Sequence, residues 1–186
     1  MVRIREVGLE DADKLAQIYA PYVTDTAITF EYEAPDKAEF EHRIQETTKK
    51  YPWLIAENDD GEVIGYAYVS AFKGRAAYDW SVETSIYVKQ NGHNQGTGRL
   101  LYIELEKILK DMGITNVNAC IACTDHEDPH LDNGSVAFHE RLGYTLVGIF
   151  HKCAYKFGRW YDMCWMEKAI SDHDKVKPVR WHNIEL

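Results

Sequence analysis

The sequence predicts a mixed α/β fold, in which one central sheet carries both parallel and antiparallel strands and is flanked by helices. Three observations predict it. Hydrophobic periodicity runs in the order strand, two helices, three strands, helix, strand, helix, two strands. That order departs from the regular alternation of a doubly wound sheet. A chain of 186 residues is long enough for one domain with one sizeable core.

Val2 to Glu6 alternates apolar and charged residues, as a half-buried strand does. Leu9-Glu10-Asp11-Ala12-Asp13 opens a helix whose first-turn acids suit the helix dipole, and Leu15, Ile18, Tyr19 and Tyr22 follow at helical spacing. Asp36 is placed to cap a second helix with Phe40 and Ile44 inward. Trp53 to Ala56 and Val63 to Ala71 read as strands around the turn Asp59-Asp60-Gly61. Lys73-Gly74-Arg75 reads as a loop and Trp80 to Val88 as a strand. Gly92 to Gly98 is a glycine-bearing turn. Arg99 to Met112 is an amphipathic helix with Leu101, Leu105, Ile108 and Met112 on one face, and Gly113 fits its C-terminal cap. Val117 to Ala122 is a strand, Ser135 to Leu142 a short helix, and Tyr144 to Lys152 and Asp162 to Glu167 are final strands. Residues 1–170 form the domain. The polar segment 171–186 reads as a tail, either loosely held or strapped onto a partner subunit.

A net charge of −9 argues against nucleic acid or an anionic membrane as the main partner, while leaving room for a local basic pocket. The charged start MVRIREVGLEDADK lacks the apolar stretch of a signal peptide, so a cytoplasmic location is expected. Four cysteines are too few for a secreted disulfide framework. Cys123, His126 and His130, with Asp128 and Asp132 nearby, offer zinc-like ligand types without a four-ligand spacing, so no metal is expected. Cys120 and Cys123 share only the spacing of a redox motif and do not precede a helix.

The chemistry starts at Gln95-Gly96-Thr97-Gly98-Arg99, between a strand and a helix. Glycines allow backbone N–H groups to approach a phosphate, and the helix N-terminus adds unpaired donors and a positive dipole end. By itself this turn indicates a phosphate site or merely a turn. It lacks the Gly-Lys-Ser/Thr of a Walker A loop and the full glycine spacing of a dinucleotide fingerprint.

The run Glu83-Thr-Ser-Ile-Tyr-Val88, followed after nine residues by Gly98 and then by Arg99-Leu-Leu, resembles motif A of the GNAT acetyltransferase superfamily. That family's turn is (Gln/Arg)-x-x-Gly-x-(Gly/Ala); here it runs from His93 to Gly98, with His93 as a departure. Asn133-Gly-Ser135-Val-Ala-Phe-His139-Glu-Arg-Leu-Gly143-Tyr144 is similar to motif B. Tyr51-Pro-Trp-Leu54, Arg75-Ala-Ala-Tyr-Asp-Trp-Ser-Val-Glu83 and Gly158-Arg-Trp-Tyr-Asp162 resemble the phosphinothricin and methionine sulfone or sulfoximine N-acetyltransferases. The loop from Cys123 to Asp132 is longer than that subgroup leads one to expect.

The resemblance implies a GNAT acyl-CoA N-acyltransferase fold, acetyl-CoA as co-substrate, a small amino-acid-like acceptor and a homodimer. It implies Glu83 as general base and His139 as acid, positioning or polarising group. It places the cofactor along Ile86, Tyr87 and Val88, over Asn94, Gln95, Gly96, Thr97, Gly98 and Arg99, and beside Asn133 and Ser135. It gives the acceptor to Phe30, Lys73, Arg75 and Tyr78. Arg75 suits a carboxylate or phosphinate because its planar fork makes paired hydrogen bonds. An acceptor amine is substantially protonated at neutral pH, so the reaction needs a base. Acetylation of peptide N-termini or polyamines, and a non-catalytic acyl-CoA sensor, are the alternative readings. The two cations near residue 75 speak for an anionic acceptor instead of a polyamine.

Overall fold

The computed structural model describes residues 2–90 and 96–182. Its elements are β1 (Arg3–Glu6), α1 (Ala12–Thr24), α2 (Lys37–Thr48), β2 (Trp53–Glu57), β3 (Val63–Ala71), β4 (Ser81–Val88), α3 (Thr97–Met112), β5 (Asn116–Cys123), α4 (Gly134–Arg141), β6 (Thr145–Lys156) and β7 (Arg159–Ala169). Short 3-10 turns occupy Leu9–Asp11 and Ala76–Tyr78.

The strands form a seven-stranded sheet in the order β1-β2-β3-β4-β5-β7-β6. Every neighbouring pair is antiparallel except β4 and β5. Side chains alternate across the sheet and build a core on each face. Val69, Val82, Val117 and Met166 pack with Leu101, Leu105 and Leu109 of α3. Ile55, Tyr66 and Trp53 pack with Leu15, Ile18 and Tyr19 of α1 and Phe40 and Ile44 of α2.

Local chemistry explains the ends of these elements. The Asp36 carboxylate accepts from Glu39 N at 2.9 Å, capping α2. Gly113, at φ +91°, closes α3, with Gly113 N donating to Lys110 O and Ile114 N to Leu109 O. The last two strands are longer than the sequence suggests. They continue to Lys156 and start at Arg159 around Phe157-Gly158, both at positive φ as a tight two-residue hairpin requires. Exposed polar and aromatic residues interrupt the apolar pattern there.

Residues 177–182 of the tail lie on the chain's own domain. Lys177 O accepts from Trp80 Nε1 at 2.6 Å, Arg180 N donates to Met112 O at 2.8 Å, and His182 N donates to Lys50 O at 3.0 Å. Trp181 packs edge-on to Tyr51 beneath the Lys50 ammonium. The segment straps its own domain because Val179 and Trp181 cover the α3-side core. Among the described residues no helix is long and apolar enough to cross a membrane.

Candidate active site

The site grows out of the one parallel junction. β4 and β5 each run eight residues, yet they pair only from Ser81, Val82 and Glu83 to Asn116, Val117 and Asn118. Beyond Glu83 the strands part. Two side chains lock the fork: Asn118 Nδ2 donates to Val82 O at 3.1 Å, and Thr84 Oγ1 donates to Asn118 O at 3.1 Å. The open cleft is lined by Thr84, Ile86, Tyr87, Cys120, Ser135 and His139 among others, with Ile28 reaching in from the loop after α1.

Glu83 sits at the fork and is half-buried. Removal from water pushes its carboxyl above the usual carboxylate range, and the nearby Lys73 ammonium opposes that push. Lys73 Nζ lies over the rings of Phe72 and Trp165, 4.7 and 5.2 Å from their centroids. The thiol of Cys120 shares the neighbourhood, and burial, with Glu83 adding to it, pushes that thiol up to about 12.

His139 is 3% exposed. Its Nδ1 lies 2.7 Å from Ser135 O, and its Nε2 lies 3.0 Å from the Tyr102 hydroxyl. A carbonyl only accepts, so Nδ1 carries the proton and Nε2 accepts from Tyr102. Burial pushes His139 down to about 4, which leaves it neutral at physiological pH. Tyr102 was not identifiable from the sequence, where it reads as one more apolar position of α3. Its position one turn before Glu106 on the same helix carries no local signal; only the fold brings it to His139.

At the start of α3, Gly96 has φ +79°. The first helical bond is Leu100 N to Gly96 O at 3.1 Å, so the N–H groups of Thr97, Gly98 and Arg99 precede the helical ladder. The Thr97 hydroxyl is buried with no hydrogen-bond partner among the described residues. A Cβ on Gly98 would come within 3.1 Å of the Phe138 ring and 3.2 Å of Ile86 Cδ1, so the start of α3 sits against the cleft with little room for a larger residue. Asn94 and Gln95, and the divergent His93, lie outside the described residues.

The remaining predicted positions divide. Asn133 clamps the preceding loop: its amide donates to Thr124 O at 2.8 Å and accepts from Thr124 N at 3.1 Å. Ser135 lines the cleft and holds His139 through its carbonyl. Arg75 and Tyr78 are exposed in the segment that follows Lys73, with the Tyr78 ring 6.0 Å from that of Phe72. Phe30, in the segment after α1, packs with its ring 6.3 Å from that of Tyr161.

The long loop from Cys123 to Asp132 is tied down. His126 pairs with Asp125, His130 Nδ1 bonds Asp25 O, and Asp128 receives Arg159 at 2.6 Å. Among the described residues no group of three or more His, Cys, Asp or Glu side chains is placed to hold a metal. Cys120 and Cys123, three apart on a strand, project to opposite faces.

The Acetyltransferase (GNAT) domain family matches residues 4–165. The phosphinothricin N-acetyltransferase of Streptomyces viridochromogenes is 33% identical over 179 residues, covering 96% of this chain and 93% of that protein. The L-methionine sulfoximine/L-methionine sulfone acetyltransferase of Pseudomonas paraeruginosa is 26% identical over 165 residues, covering 88% and 92%. The crystal structure of a GNAT superfamily phosphinothricin acetyltransferase from Sinorhizobium meliloti, in complex with AcCoA, superimposes with a TM-score of 0.87 at 30% identity, covering 98% of this chain and 97% of that one. The forked β4–β5 junction, the glycine-led α3 and the full-length similarity agree, and the chain belongs to the GNAT acetyltransferases.

Proposed function

We propose that this protein transfers an acetyl group from acetyl-CoA to the amino group of a small, anionic, amino-acid-like acceptor of the phosphinothricin or methionine sulfone type. The observation that carries the reading is the fork: a desolvated carboxylate, Glu83, stands where β4 and β5 separate, with the Lys73 ammonium near it.

The residues present fit acetyl-CoA, which as co-substrate supplies the activated acyl group. Among the described residues the β4 backbone from Ile86 to Val88 has no β5 partner, and although Val88 O accepts from the Tyr22 hydroxyl, the stretch offers ladder groups to an extended chain with amides. The N–H groups of Thr97, Gly98 and Arg99, with the buried Thr97 hydroxyl, suit phosphate oxygens. Asn94 and Gln95 are assigned to the same site from the sequence pattern. Asn133 supports it by fixing the loop before α4, and Ser135 borders it.

Glu83 accepts the proton of the acceptor ammonium, directly or through water; a desolvated carboxylate is a better base than an exposed one. Neutral His139 orients the Tyr102 hydroxyl at the cleft, so it serves as a positioning group in preference to an acid. Lys73 and Arg75 attract the acceptor's anionic group, while Tyr78 and Phe30 bound its apolar part. Charge reversal tests this assignment: Arg75→Glu raises the acceptor KM by about tenfold or more, the loss of one charge-assisted hydrogen bond. An unchanged acceptor KM would remove Arg75 from the site.

We also infer a homodimer through β6. Among the described residues this strand ends the sheet with no strand on its outer side, and Leu146, Val147, Ile149 and Phe150 expose 44 to 60% of their surface on it. A second copy supplies a self-complementary cover for such an edge.

A further inference from the structure

We propose that Lys156 is a positioning residue for the acceptor site: its buried ammonium fixes the loop after α1 that forms one wall of the cleft. The inference rests on the acceptor reading above and adds a residue that reading does not contain.

Lys156 ends β6, next to the hairpin turn, and is only 3% exposed. A lysine so buried normally has a carboxylate partner. Among the described residues none lies within ion-pair distance of this one. Its Nζ donates instead to Thr26 O at 2.8 Å and to Thr29 O at 2.7 Å, and the Phe157 ring lies 5.1 Å away. The two carbonyls bracket Ala27 and Ile28. The ammonium therefore clamps both ends of a four-residue segment and leaves its middle projecting forward.

Of that middle, Ile28 lines the cleft with Thr84, Ser85 and His139, and the clamp ends one residue before Phe30, which the acceptor reading uses. Ala27 is fully buried against Ala122, Leu131 and Tyr161, and Phe30 packs on the same cluster. Thr29 turns back to the Tyr19 hydroxyl at 2.5 Å. A second staple comes from the long loop: His130 O accepts from Ala27 N at 2.9 Å, and the His130 ring stacks 3.9 Å from Phe157. The hairpin turn thus holds the acceptor wall from behind, 130 positions away in sequence from Thr26.

An apolar side chain of similar length would fill the space without holding either carbonyl. Two strongly directional bonds from one charged donor fix the backbone instead, and a carbonyl left without its partner drives the segment to rearrange.

The test compares Lys156→Met with Lys156→Arg, whose guanidinium can still donate to both carbonyls. Steady-state kinetics are measured with acetyl-CoA and methionine sulfone, with hydrogen exchange followed over residues 25–32. Lys156→Met is expected to raise the acceptor KM about tenfold, leave the acetyl-CoA KM within about twofold, and speed exchange in that segment; Lys156→Arg restores most of both. Equal changes in both KM values, or an unchanged acceptor KM with faster exchange, would overturn the positioning role. If Lys156→Met does not fold, Lys156→Arg and Lys156→Gln carry the same comparison, and Gln behaving like the wild type would also overturn it. Failure of the acceptor reading shows separately, as a wild-type protein that does not acetylate methionine sulfone; the exchange measurement then still decides whether Lys156 holds the segment.

Discussion

Replacing Glu83 by Gln separates catalysis from stability at one atom. Gln keeps the size and one acceptor oxygen but cannot take a proton. A positioned general base is worth about 10²- to 10⁴-fold in rate, equivalent to roughly 3–5 kcal/mol in the barrier. The acetyl-CoA KM should stay the same, because the proposed cofactor groups are backbone N–H groups and the Thr97 hydroxyl. Stability should move the other way. Burial raises the folded-state pKa of Glu83 above its unfolded value. The folded state then holds the proton more tightly, so stability declines as pH rises from the unfolded pKa through the folded one, and the ionised group opposes folding at neutral pH. Glu83→Gln removes that opposition, and its Tm should equal or exceed that of the wild type. The assay is release of free CoA at saturating acetyl-CoA across pH 5–9, paired with thermal unfolding. Unchanged kcat and an unchanged acid limb would remove Glu83 from the base role. A large loss of Tm would mean that the side chain is structural.

Lys73→Met should raise the Glu83 pKa further, since the ammonium opposes the desolvation shift, and move the acid limb of kcat/KM to higher pH; a limb moving to lower pH contradicts the pairing. Gly98→Ala places a Cβ 3.1 Å from Phe138 and should cost about 1–3 kcal/mol of stability, read by denaturant unfolding. For His139 the depression from 6.5 to about 4 corresponds to about 3 kcal/mol of stability. It is present above the unfolded pKa and lost as pH falls toward 4; His139→Gln should flatten that part of the stability profile, measured by unfolding between pH 7 and 4. Val147→Lys with Phe150→Lys should shift light scattering toward the 21.5 kDa monomer if β6 is the dimer edge.

The fold was legible where side-chain pattern and local chemistry coincide. Val63 to Ala71 emerges as β3 at both of its bounds, Asp36 caps α2, and Gly113 closes α3. The site was legible as motifs and less so as geometry. Glu83 and His139 both border the fork region, but no periodicity reveals that β4 and β5 separate after three pairs. Tyr102 could not be found because its partner His139 is 37 positions away and its spacing is that of a core residue. Lys156 was missed for a related reason: a lysine beside a turn reads as solvated, and only the tertiary fold puts carbonyls around it. The seating of residues 177–182 was not legible because the segment is mostly polar, and its contacts come from backbone hydrogen bonds and from Val179 and Trp181 packing on the core.

The most direct test is acetyl transfer across an acceptor panel containing phosphinothricin, methionine sulfone, methionine sulfoximine, ordinary amino acids, a polyamine and a peptide N-terminus, followed as CoA released and acetylated product formed. Saturable turnover favouring the small anionic amino acids is the predicted result. Tight binding of acetyl-CoA with no turnover on any amine, or a preference for the polyamine, would contradict it.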